Sequence, residues 1–71
     1  MNLYIIVTEL TSAGITVRKF TVDYERKEII LDVNIGGDSS KLGDAMIIIE
    51  KHAAAYKAAG FRLIVSYGML Y

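Results

Sequence analysis

Asn2-Leu3-Tyr4-Ile5-Ile6-Val7-Thr8-Glu9-Leu10 runs for nine residues with a single charge, and its assignment decides how many strands the domain has. Aliphatic, aromatic and Thr side chains stand on both alternating faces of the stretch, the pattern of an interior strand. Thr11-Ser12-Ala13-Gly14 follows, small residues ending in a glycine able to take positive φ, which is the chemistry of a tight hairpin. The reading is therefore a first strand turning directly into a second.

The second strand, Ile15 to Tyr24, turns at Glu25-Arg26-Lys27-Glu28 into a third, Ile29 to Ile35. With Arg26 and Lys27 as the loop residues, Glu25 faces Glu28, and Tyr24, Val22 and Phe20 pair in turn with Ile29, Leu31 and Val33 on a core face. Lys19, Thr21 and Asp23 then lie beside Ile30, Asp32 and Asn34 on a solvated face. Gly36-Gly37-Asp38-Ser39-Ser40 breaks this strand. Asp38 or Ser39 serves as N-cap for a helix to about Ala59, and Gly60 stops it. Leu42, Ala45, Met46, Ile49, Ala53 and Tyr56 fall on one helical stripe. Phe61 to Tyr67 alternates again, with Phe61, Leu63, Val65 and Tyr67 inward, as a fourth strand.

The expectation is a single α+β domain over residues 1–71 with order βββαβ: a four-stranded mixed sheet with one helix packed on one face. A right-handed crossover returns the fourth strand beside the first, giving order 3-2-1-4, with the doubly apolar first strand at the centre. The alternative places the fourth strand beside the third. A chain of 71 residues leaves no room for two domains, each of which would be too small to bury its own core.

Composition excludes more chemistry than it suggests. Eight basic and eight acidic side chains give zero formal charge, so no net field draws the chain to nucleic acid or an anionic membrane. No cysteine and one histidine exclude a disulfide framework, a thiolate nucleophile and a Cys or multi-His metal centre. No cofactor motif is present either. Gly36-Gly37-Asp38-Ser39-Ser40-Lys41 departs from the P-loop spacing and places Asp38 where an anion would sit. His52 lies one helical turn from Tyr56, with no carboxylate assigned to it by spacing. The N-terminus lacks a basic n-region, and the longest strongly apolar run, Ala45 to Ile49, is far short of the roughly 20 residues that span a bilayer. These features read as a cytoplasmic protein with no membrane segment.

What remains is a hydrophobic fraction of 54%, high for a chain that hides only about 60% of its unfolded surface. Ile47, Ala54 and Ala58 fall on the helix face away from the sheet, with Ile48 at the flank. On the uncovered sheet face the first strand leaves either Leu3, Ile5 and Val7 or Tyr4, Ile6 and Thr8, according to the hairpin register. Met69, Leu70 and Tyr71 form an apolar tail. The expected role is a small non-enzymatic protein–protein interaction module of the inhibitor or adaptor type, homo-oligomeric through Tyr4, Ile5, Ile6, Ile47, Ile48, Ala54, Ala58 and the tail. Compact neutral domains of this kind suit a viral or mobile-element regulator, by association alone. The rival role is a nucleic-acid-binding regulator using Arg18-Lys19 and Arg26-Lys27 on the hairpin, although Glu25 and Glu28 flank the second pair. A third is an enzyme assembled between subunits around His52 and Tyr56.

Overall fold

The computed structural model describes residues 2–68 and corrects the first element. The chain folds as α1 (Ile5–Ser12), β1 (Thr16–Asp23), β2 (Glu28–Asn34), α2 (Ser39–Ala58) and β3 (Arg62–Gly68). Its sheet has three strands in the order β1-β2-β3. The four-stranded sheet with one helix, and the order 3-2-1-4, are thereby overturned: the stretch expected to be the central strand is a helix. β2 takes the central place, antiparallel to β1 and parallel to β3.

The reason lies in a second period within the same nine residues. Leu3, Ile6, Val7 and Leu10 are spaced i, i+3, i+4, i+7, one stripe of a helix. Leu3, Ile6 and Leu10 are buried and Val7 packs against the same core. Two strands and a short turn would have left half of this apolar set facing solvent, whereas the helix turns most of it inward. A helix of eight residues is too short to persist alone, so its ends and its contacts hold it. The Asn2 side chain accepts the Tyr4 N–H at 2.9 Å. At the other end Gly14, at φ 79°, sends its N–H to the Thr11 carbonyl, and the Ile15 N–H reaches back to Leu10 O, each at 3.0 Å. That bond pair, with Ile15 and Leu10 both buried, is a Schellman stop. Gly14 ends a helix here; it does not turn a hairpin.

α2 matches the sequence reading. Asp38 is its N-cap and accepts from the N–H groups of Ser40 and Lys41. Gly60 repeats the glycine stop, with Gly60 N bonded to Lys57 O and Phe61 N to Tyr56 O. Ala45, Ile49 and Tyr56 carry its buried stripe, while Met46 is exposed.

The β1–β2 hairpin keeps Phe20 and Val22 on its expected inner face in a different register, but Tyr24, expected beside them, is exposed in the turn. Val22 pairs with Ile29, Phe20 with Leu31 and Asp23 with Glu28, two residues away from the two-residue-loop alignment. A four-residue turn, 24–27, joins the strands, closed by the Arg26 N–H donating to the Asp23 carboxylate at 3.0 Å. A shift of two preserves which side each residue faces. Further along, the register slips between Val17 and Lys19. This bulge at Arg18 resets the alternation, so that Val17 and Ile15 turn inward in place of Arg18 and Thr16.

Both helices lie over one face of the sheet, α1 against β1 and α2 against β3, and they touch each other. Ile29, Leu31 and Val33 of β2 are fully buried beneath them with Ile6, Leu10, Ala45 and Tyr56. The opposite face is uncovered and carries four cross-sheet rows: Asp23, Glu28 and Arg62; Thr21, Ile30 and Ile64; Lys19, Asp32 and Ser66; Thr16, Asn34 and Gly68. Among the described residues no helix is long and apolar enough to cross a membrane.

Candidate functional site

Two kinds of place in this fold invite function: a polar cluster on the α1–α2 seam, and the apolar groups left at the surface. The seam brings Glu9 of α1 against Lys51 and His52 of α2. Lys51 Nζ donates to Glu9 Oε1 at 2.9 Å, and His52 Nε2 lies 2.6 Å from Glu9 Oε2. The hydrogen bond from Lys51, followed by that from His52, holds the Glu9 carboxyl below the ordinary value of 4.5. One turn along α2, the Tyr56 hydroxyl donates to the Leu3 carbonyl at 2.7 Å, and burial, with the nearby Glu9 charge, pushes it up to about 12.

Sequence spacing left His52 without a carboxylate; the fold supplies one 43 positions away. No local signal in the sequence joins these two residues. The arrangement resembles an imidazole–carboxylate pair, yet each Glu9 oxygen already has a cationic or imidazole partner, and the Tyr56 hydroxyl is committed to a backbone carbonyl. The cluster therefore ties α1 to α2 at the polar rim of the core. Among the described residues no group of three or more His, Asp or Glu side chains gathers as a metal site.

The glycine-rich turn before α2 is closed by its own acid. Asp38 Oδ1 accepts from the Ser40 hydroxyl at 2.7 Å, from Ser40 N at 3.0 Å and from Lys41 N at 3.4 Å. The Ser40 hydroxyl, then the two N–H groups, holds the Asp38 carboxyl below its ordinary value. These are the N–H groups a phosphate would need.

The arginines are similarly occupied. Arg18 lies near Asp32, Arg26 near Asp23, and Arg62 pairs with Glu28. Lys27 sits at φ 55° with its ammonium 5.3 Å from the Phe61 ring centre. The hairpin's two arginines are thus paired with carboxylates, while Lys19 and Lys27 have no ion pair among the described residues.

The expected interface residues divide. Ile6 is a core side chain with no exposure, and it leaves the surface because α1 is a helix; the sheet-face triplets Leu3, Ile5, Val7 and Tyr4, Ile6, Thr8 disappear with the first strand. Tyr4 and Ile5 remain exposed, on α1. Ile47 is 70% exposed on α2, Ala54 and Ala58 are exposed beyond it, and Ile48 is half-buried against the core. Met69, Leu70 and Tyr71 lie outside the described residues.

Missed by sequence reasoning is a group of aromatic rings at the hairpin end of the sheet. Tyr4 packs edge-on against Phe20 at 5.1 Å, and Tyr24 against Phe61 at 6.0 Å. Tyr4, Tyr24 and Phe61 line a cleft of about 350 Å³ with Asn2, Leu3 and Ala59. The signal that would have located them is the shifted hairpin register, which puts Tyr24 in the turn. The chain matches no family model, no curated protein and no solved structure. Its surfaces are thus read from their own chemistry.

Proposed function

We propose that the chain is a small interaction module that associates with itself and acts by binding protein, without catalysis of its own. The observation that supports this reading is the surface. Large apolar or aromatic side chains stand exposed at Ile47, Tyr24, Tyr4, Ile5, Met46, Ile64 and Tyr67, while the core is complete and has no buried side-chain polar atom without a partner among the described residues. A core that is closed without these groups has no structural need of them. Tyrosines beside apolar side chains are the residues that most often anchor protein interfaces. The pairing of Arg18, Arg26, Arg62 and Lys51 with carboxylates weighs against the nucleic-acid role, because phosphate contact needs free cations.

Sedimentation velocity from micromolar to millimolar concentration tests the reading. A dimer or larger assembly is expected. A species of 7.9 kDa throughout that range would overturn the self-associating module.

A further inference from the structure

The sheet ends on one side at β1, whose outer edge pairs with nothing among the described residues. An eight-residue strand with free N–H and C=O groups is a template for another strand. We infer that this edge pairs antiparallel with β1 of a second copy, about a two-fold axis at Thr21. The inference rests on the self-association proposed above and specifies its surface and register.

Three features select that register. The bulge at Arg18 interrupts regular pairing, leaving Lys19–Asp23 as the regular segment, and Thr21 is its midpoint. Turning β1 about Thr21 sets Phe20 opposite the partner's Val22, twice. Both are half-buried side chains packed on the core, so the inner face of the new ladder is apolar throughout. The same turn sets Lys19 opposite the partner's Asp23, twice. Lys19 has no ion pair within its own chain among the described residues. Opposite charges facing across a strand pair are favourable, and like charges there are not.

A shift of one residue would set Lys19 against Val22 and Phe20 against Thr21, and turn an inward face outward. The free edge of β3 offers no comparable match: turned about Val65, it sets Ile64 against Ser66 and Arg62 against Gly68, with no opposite charges. Pairing at β1 extends the sheet to six strands and covers the flank where Tyr4 leans on Phe20. A two-fold contact of this kind uses each edge once and closes, which removes the template from further growth.

The chain has no cysteine, so a single introduced thiol reports on the axis. Directly opposed residues in an antiparallel pair have Cα atoms about 4.5–5.5 Å apart, within the roughly 4.4–6.8 Å a disulfide spans. Thr21 is exposed, and Thr21→Cys should fold normally by circular dichroism and form a disulfide-linked dimer under mild oxidation. Ile64→Cys and Ile47→Cys, on the open sheet face and on α2, should remain largely uncrosslinked at the same concentration. Lys19→Asp should weaken the wild-type dimer on the order of tenfold at low salt, since two attractive pairs become repulsive. A wild-type dimer whose Thr21→Cys variant stays reduced while Ile64→Cys or Ile47→Cys crosslinks would overturn the edge pairing and leave self-association standing. A wild-type chain that is monomeric throughout would overturn both.

Discussion

Ile5 and Ile6 are the same residue type on adjacent positions, and the fold gives them opposite environments: Ile6 has no exposed surface, while Ile5 is 45% exposed. Truncating each to Ala is the sharpest test of α1. At Ile6 the change removes three carbons from the centre of a cluster that includes Leu3, Leu10 and Ile29. The cost is the lost transfer free energy plus the cavity left behind, about 2–5 kcal/mol. A domain of this length has a total stability near the low end of about 5–15 kcal/mol, so roughly two-fifths or more of it would be lost. With a melting shift of about 4–8 °C per kcal/mol for so small a domain, the midpoint should fall by at least about 8 °C. At Ile5 the removed atoms are partly in water already, and Ala is the better helix former by a few tenths of a kcal/mol. The net change there should lie within about 1 kcal/mol of zero. Thermal and urea unfolding followed by circular dichroism measure both variants. If α1 were a strand, Ile5 and Ile6 would face opposite sides of the sheet, and with Tyr4, Ile6 and Thr8 on its uncovered face the larger cost would fall on Ile5. A loss at Ile5 equal to or larger than the loss at Ile6 would refute the burial that the helix assigns to them.

Gly14→Ala places a Cβ at φ 79° and should cost about 1–2 kcal/mol, read as a lower urea midpoint with an unchanged slope. Tyr56→Phe leaves the Leu3 carbonyl without its buried donor and should cost about 1–3 kcal/mol in the same assay, with the Ile6 face of α1 loosened first in hydrogen exchange. Glu9 is held below its ordinary value by Lys51 and His52, so its contribution to stability is complete above the ordinary value of 4.5 and disappears as pH falls through the lowered one. The stability difference between wild type and Glu9→Gln should accordingly be present at neutral pH and vanish at strongly acidic pH; a difference that persists unchanged into strong acid would exclude the ion pairs as its source.

The seam and the candidate edge depend on different kinds of information. Capping at Asp38, the stop at Gly60, and the inward sets Phe20, Val22, Leu31, Val33, Leu63 and Val65 are local, since each follows from a residue's own preference or from alternation along a few neighbours. The amino-acid order alone therefore determines α2 and most of the inward sets of the hairpin and β3, but not Tyr24 and Tyr67, which were expected inward and are exposed. The hairpin register was only half legible, because two alignments that differ by two residues keep Phe20, Val22, Ile29, Leu31 and Val33 on one face and differ at Tyr24, and the Asp23 to Arg26 turn bond chooses between them. In the 2–10 stretch, by contrast, period 2 and period 3.6 both find apolar residues, so neither pattern could decide. The tertiary structure decided it. As a helix, α1 turns Ile6 and Leu10, with Leu3 just before it, into the core beside β1 and α2, and that burial outweighs the weak helix preference of adjacent β-branched residues. The same choice removed the expected central strand, gave β2 its position, and carried Glu9 to His52 and Lys51. A contact across 43 residues has no local pattern to announce it, because it exists only after two helices have packed on one face of a sheet.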